Sequence, residues 1–282
     1  MKSFNKIGLN KISKVDIKSV DILMVLVVIS LGLFNCGCNS AKVDLSGKDA
    51  KLTSIATTEG SYEVEYPDAP PSVADGKIMW DKLNCASCHG DTGVGVSGQC
   101  SVDLTDKKLM RKQEPVNQYL LLAFGKANAY PGVSHPNYLT KATTRQIWDT
   151  VFYARNLAVP ALTDAQAMDI DSVFGSNCAV CHGKKGYGDG PLSKNLDPVP
   201  ANFQQYNRFY HRTDDVLWDH IANGITWEGM PNFLHKQDKS KNVVFDDEYI
   251  WKLVQYIRHF QETTEKTISV DTTNSTTINN GG

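Results

Sequence analysis

Two stretches of the chain place two thiols and an imidazole in the same fixed order. They are Cys85-Ala86-Ser87-Cys88-His89 and Cys178-Ala179-Val180-Cys181-His182, and both read C-x-x-C-H. The chemistry this spacing serves is the covalent attachment of a haem. Thiols two residues apart add across the two vinyl groups of one porphyrin edge and become thioethers. The histidine follows at once, so its imidazole reaches the iron as the proximal ligand. The same residue types could hold zinc, but a zinc site pairs two C-x-x-C units within about 20 residues. Here the two motifs begin 93 residues apart. The sequence therefore assigns Cys85, Cys88, His89, Cys178, Cys181 and His182 to the binding of two haem groups.

The elements that must position these groups come in two copies. Each copy opens with an amphipathic helix just before its motif. Val73, Ile78, Met79, Trp80 and Leu83 supply the apolar face in the first; Met168, Ile170, Val173 and Phe174 supply it in the second. Thr163 is placed to cap the second of these helices, and Asp164 suits its first turn. After each motif comes a Gly-rich loop, Gly90 to Gly95 and Gly183 to Gly190. Standing alone, such a loop could suggest phosphate binding. Each copy closes with a helix in which Trp, Val and Tyr fall at i, i+3 and i+5. These are Trp148, Val151 and Tyr153, then Trp251, Val254 and Tyr256. That spacing is a packing signal, and it places aromatic rings where they can cross the opening helix and wall off the haem.

On these motifs the chain resembles a tandem diheme cytochrome c, similar in pattern to the small cytochrome c domains of cbb3 oxidase subunits. The resemblance covers residues 72–160 and 161–262. It implies an all-α fold, with a few helices wrapped around one covalently bound haem c in each domain. It says nothing about residues 263–282, a Thr/Asn/Gly-rich stretch expected to be disordered.

The ligand opposite each histidine decides whether an iron only carries electrons or also does chemistry. Cytochromes of this type present a Met just before a Pro, which implies Met230, in Gly229-Met230-Pro231-Asn232-Phe233, as the second iron's thioether ligand. The first copy departs from the pattern. Its matching segment is Val133-Ser134-His135-Pro136-Asn137-Tyr138, and no Met occupies the place. His135 stands there instead, and imidazole is a competent ligand, so the first iron is expected to be bis-histidine. Three alternatives stay open. Met110 could ligate from a charged segment, Cys100 could fold back across the ring, or His135 could be a surface residue beside an open iron. Cys100 otherwise reads as a lone thiol. His211, His220, His235 and His259 are expected to be solvated or to cap helix ends.

The N-terminus reads as an address. Five lysines, Lys2 to Lys18, precede the 13-residue apolar run Ile22 to Phe34. That run suits a signal peptide and is short of the about 20 residues a membrane span needs. It ends at Asn35-Cys36-Gly37-Cys38, which resembles a lipobox with Cys38, or alternatively Cys36, as the lipidated residue; Asn35 departs from it, since Leu is usual three residues before the Cys. An uncleaved anchor is the other reading. Both put the haem domains outside the cytoplasm. The expected organisation is a lipoprotein signal over residues 1–38, a flexible linker over 39–71, the two domains, and the tail.

Bulk properties narrow the function. The 282 residues carry a net charge of −2. Residues 1–38 hold five Lys and two Asp, which leaves −5 for the remainder. Nucleic acid is therefore not an expected partner. A mildly acidic carrier docks on basic patches through steered encounters. The expected function is one-electron transfer between respiratory redox proteins on the periplasmic side of a bacterial membrane. Electrons would enter at the first haem and leave at the second. The competing reading is a diheme enzyme, either a peroxidase or a thiosulfate-oxidising cytochrome with a Cys ligand. A structural adaptor that merely stores haem is a third.

Overall fold

The computed structural model describes residues 52–57, 60–100, 102–127 and 133–267, with side chains from Tyr62 onward. These residues all fall in one compact unit. The apolar run, Cys36, Cys38 and residues 268–282 lie outside them. Helices dominate. The first half holds a hairpin of β1 (Leu52–Thr57) and β2 (Gly60–Glu65), then α1 (Val73–Lys82), α2 (Ala86–His89), α3 (Lys107–Arg111), α4 (Pro115–Phe124) and α5 (Thr144–Asn156). The second holds α6 (Asp164–Asn177), α7 (Ala179–His182), α8 (Tyr206–Phe209), α9 (Asp214–Asn223), a two-residue pair β3 (Gln237–Asp238) and β4 (Val243–Val244), and α10 (Asp247–His259). Both β pairs are antiparallel.

The helix ends are set by local chemistry. Thr143 and Thr163 each form a reciprocal capping box, with Gln146 and Gln166, at the start of α5 and α6. Ser72 caps α1 by accepting from the Asp75 amide at 3.0 Å. Pro115 opens α4, where its missing N–H costs nothing.

Buried side chains form two clusters. One gathers residues Val64 to Tyr153 around Trp148 and Phe152, and the other gathers Leu162 to Ile257 around Phe174 and Ile250. The opening and closing helices meet through aromatics in both. Tyr153 packs edge-on against Trp80 at 5.5 Å, and Tyr256 lies 4.9 Å from Phe174.

Part of the stretch expected as a flexible linker is ordered structure. Tyr62, Val64 and Tyr66 alternate with Glu63 and Glu65, which puts one face of β2 on the first cluster. Tyr62 stacks on Phe124 at 4.4 Å. Helix α5 then holds the following backbone. Trp148 donates to the Glu65 carbonyl, Arg145 donates to the Pro70 carbonyl, and Asp149 accepts from the Ser72 amide. The start of the expected disordered tail is pinned as well. Thr263 donates to the Pro71 carbonyl at 2.9 Å and accepts from the Val73 amide at 2.8 Å.

The two halves are not beads on a string. Phe209 and Tyr210 are adjacent in sequence, yet Phe209 belongs to the second cluster and Tyr210, fully buried, to the first. Behind them lies a buried carboxylate shared by two arginines. Arg155 from the end of α5 and Arg258 from the end of α10 both donate to Asp214, at 3.0 and 2.8 Å. Arg155 and Arg258 hold matching positions in the two repeats. The remaining Arg258 donors meet the Phe209 and Arg212 carbonyls and the Gln261 side chain, so the guanidinium is satisfied inside the protein. Asp214→Ala would remove the carboxylate to which both buried arginines donate. It should cost about 3–5 kcal/mol in denaturant unfolding, because removing one partner of a buried pair strands the other; a cost near zero would mean that Asp214 does not join the halves.

Candidate haem sites

Each C-x-x-C-H motif folds as one tight helical turn, α2 in the first copy and α7 in the second. Backbone bonds around the two turns match. His89 and His182 both donate their amides to the carbonyl of the first motif cysteine, Cys85 or Cys178. Their own carbonyls accept from Gly95 and Gly188, both at 2.8 Å. Within each turn the two thiols are unpaired. Burial pushes the Cys85 thiol up to about 11 and the Cys178 thiol up to about 12, as expected where the neighbours are apolar. Burial also holds the imidazoles of His89, His135 and His182 below the usual histidine range, which favours the neutral ring a metal needs.

At the second motif, Cys178, Cys181, His182 and Met230 line one cavity that is partly open to solvent. Leu217, Ile221, Ile225, Phe209 and Ile257 give it apolar walls suited to a flat ring. Phe203 stacks on the His182 ring at 4.6 Å. The His182 Nδ1 stands 3.1 Å from the Ala201 carbonyl, which sets the tautomer and leaves Nε2 free for a metal. Arg208 Nε is buried in this lining with no hydrogen-bond partner, and an acidic substituent on a bound ring would supply one. A haem fits this set of residues.

At the first motif the His89 ring faces that of His135 at 6.1 Å between centroids. Imidazole nitrogen binds a transition metal at about 2 Å, and each ring centre lies about 1 Å further out, so two rings sharing one metal sit about 6 Å apart. The observed separation fits that arrangement. Trp80 lies 5.7 Å from the His89 ring and Tyr138 lies 5.6 Å from the His135 ring.

His135 and Met230 occupy the same place in the two copies. Each follows a helix that ends in a glycine of positive φ, Gly125 after α4 and Gly224 after α9. A side-chain carbon on Gly125 would come within 2.4 Å of the His135 carbonyl oxygen, and one on Gly224 within 2.6 Å of the Met230 carbonyl oxygen. Three residues beyond, Tyr138 donates its amide to Leu122 and Phe233 donates its amide to Ile221, each three residues before its glycine. The register is thus fixed by backbone bonds, although the first loop is longer.

The other candidates stand elsewhere. Met110 is fully buried, and its sulfur receives the Gln118 amide at 3.0 Å. Cys100 folds back as far as His89, with Sγ 3.6 Å from Nδ1 rather than over the opposite face. One of the four remaining histidines departs from the expectation. His211 is hydrogen-bonded to the buried Tyr66 hydroxyl at 2.7 Å, and burial lowers its pKa to about 4. His220 lines the second cavity. The His211 partner, Tyr66, is 145 residues away, so spacing in sequence carried no signal for it. Among the described residues no cluster of three or more His, Cys, Asp or Glu side chains is placed to hold a metal ion by itself.

Residues 73–158 match the family model for cytochrome c, and residues 165–257 match the model for cytochrome c oxidase, cbb3-type, subunit III. The chain therefore carries two c-type cytochrome domains in tandem, and its cofactors are two covalently attached haem c groups. Its curated relatives include the cbb3-type cytochrome c oxidase subunit FixP of Azorhizobium caulinodans. That protein is 30% identical over 129 residues, which is 44% of this chain and 43% of the relative. The same subunit of Sinorhizobium medicae is 30% identical over 38% of each chain. That of Rhizobium meliloti is 29% identical over 49% of this chain and 48% of its own. The chain thus spans less than half the length of these relatives. A solved chain of the Kuenenia stuttgartiensis reducing HAO-like protein complex aligns over 71% of this chain and 100% of its own, at 18% identity and a TM-score of 0.28.

The glycine contacts make a direct prediction. Gly125→Ala and Gly224→Ala combine a positive φ with a clash against the His135 or Met230 backbone, whereas Gly98→Ala, at φ 79°, meets nothing within 4 Å. The backbone alone costs about 1–3 kcal/mol, and the first two should exceed it through the clash. Gly98→Ala should cost less, because only the backbone term applies. Equal losses in denaturant unfolding would remove the close approach as the reason for those glycines.

Proposed function

We propose that this chain is an exported, membrane-tethered carrier of single electrons, with His89 and His135 holding the first iron and His182 and Met230 the second. The thioethers form on Cys85 and Cys88, and on Cys178 and Cys181. The domains span residues 72–160 and 161–262. The observation that carries the reading is the 6.1 Å separation of the His89 and His135 rings at the place where the second copy has Met230. The haem supplies an iron that cycles between ferric and ferrous states. The protein's residues set the potential at which it does so. A thioether ligand opposite histidine raises the potential, and a second imidazole lowers it. Electrons then enter at the first site and leave at the second. The buried Asp214 and the Phe209–Tyr210 pair keep the two sites in fixed relation.

The partners proposed are respiratory redox proteins, one donor and one acceptor. The relatives are named as subunits of a cbb3-type oxidase, and that makes such an oxidase the acceptor class favoured here. Cys38, or Cys36, bears the lipid, and the domains work on the periplasmic side of the membrane. No helix among the described residues is long and apolar enough to cross a membrane. Nucleic acid is not a partner. The diheme-enzyme reading needs an open iron or a cysteine facing it. His135 opposite His89, and Cys100 on the His89 side, speak against both.

A spectroelectrochemical titration tests the ligand assignment. The wild-type protein should give two separated one-electron waves. His135→Met should raise the lower wave by on the order of 0.1 V, within the about 0.8 V that axial ligands span. A single wave, or an unmoved lower wave in the variant, would overturn the assignment.

A further inference from the structure

The two proximal histidines have different partners behind them. A histidine that binds a metal through Nε2 carries its proton on Nδ1, and the group that accepts this proton tunes how strongly the ring donates to the metal. In the second copy that group is the Ala201 carbonyl, 3.1 Å from His182 Nδ1. In the first it is the thiol of Cys100, 3.6 Å from His89 Nδ1.

The chain after the motif explains the change. Val96 donates its amide to Cys88 and Gly190 donates its amide to Cys181, both at 3.1 Å, so the two loops start alike. Leu104 donates to Gly93 and Phe203 donates to Gly186, so they also end alike. Between these points the second loop is longer, and Ala201, two residues before Phe203, presents its carbonyl to the imidazole. The matching residue in the first copy is Val102, but the His89 Nδ1 meets the Cys100 sulfur. Val96 and Cys100 exchange two backbone hydrogen bonds, each 3.0 Å, which close a short lasso. The lasso returns Cys100 to the motif with its sulfur against the ring. The contact is therefore held by backbone on both sides, and it fills a slot that the other copy fills with a carbonyl.

We propose that Cys100 is the positioning residue of the first proximal imidazole, accepting the His89 Nδ1 hydrogen through sulfur and so setting the potential of the first haem. The proposal rests on His89 holding an iron, as in the function proposed above. Sulfur is a weaker acceptor than a carbonyl. It leaves the His89 ring less electron-rich than His182 and favours ferrous iron more than a carbonyl would. The effect opposes that of His135, which lowers the same potential. Cys100 thus narrows the step between the two irons that the ligand difference opens. A one-electron relay between partners works best when neither iron is a deep trap for the electron.

Two variants test this, with the second haem as the internal reference. Cys100→Ala removes the acceptor, and the lower redox wave should shift upward. Cys100→Ser puts an oxygen, a better acceptor, near the same place, and the lower wave should shift downward. The wave of the second haem should stay still in both. In the reduced, low-spin protein the His89 Nδ1–H resonance should move in both variants while that of His182 does not. A lower wave and a His89 resonance that both stay at their wild-type positions would overturn the proposal, as would equal shifts of both waves. Failure of the underlying reading is a separate result, because the wild-type protein would then carry fewer than two haems by pyridine-haemochrome count.

Discussion

Each half of this protein depends on one local constraint, a single helical turn that carries two thiols and an imidazole. The turn is only four residues long in each copy, Ala86–His89 and Ala179–His182. Four residues cannot hold a helix on their own, because nucleation costs more than one turn returns. The turn is therefore supported from outside. The preceding helix feeds directly into it, the glycine loop bonds back to the histidine carbonyl, and aromatic side chains pack on the imidazole. Covalent attachment then fixes the ring against the same turn, so fold and cofactor stabilise each other.

Around that constraint the two copies are built alike but tuned apart. The opening helix, the closing helix and the glycine that presses on the distal segment recur in both. Three features do not recur. One copy has His135 where the other has Met230, the His89 ring is backed by a thiol and the His182 ring by a carbonyl, and the first copy has a β hairpin ahead of its opening helix whereas the second has a two-residue β pair ahead of its closing helix. With the ligands proposed above, two nearly identical frames would hold one electron at two different potentials. The shared Asp214 has a structural counterpart to this asymmetry. It lets matching arginines from the two frames converge on one carboxylate, so a single residue of the second copy completes both.

The sequence exposed whatever was local or periodic. The C-x-x-C-H spacing is dictated by bond lengths, and the opening and closing helices follow the 3.6-residue period, so both were readable. Thr163 was readable as a cap because capping involves neighbours three residues apart. What escaped the reading depends on contacts across long stretches. Arg155 and Asp214 are 59 residues apart, and Tyr66 and His211 are 145 apart. The hairpin had a signal in the alternation of Tyr62, Val64 and Tyr66, but the polar residues around it read as linker. Cys100 read as a lone thiol because nothing in its neighbours announces the paired backbone bonds to Val96. His135 was read as the counterpart of Met230 by register alone, and the glycine contacts supply a geometric reason for that register.

The most direct test of the account is the intact mass of the mature protein after export in a host that matures c-type cytochromes. The account predicts the polypeptide plus two haem groups that survive acid–acetone extraction. It further predicts that replacing Cys85 and Cys88 together removes one haem, and that replacing Cys178 and Cys181 together removes the other. A mass carrying one haem or none, or haem that extracts freely, would contradict it.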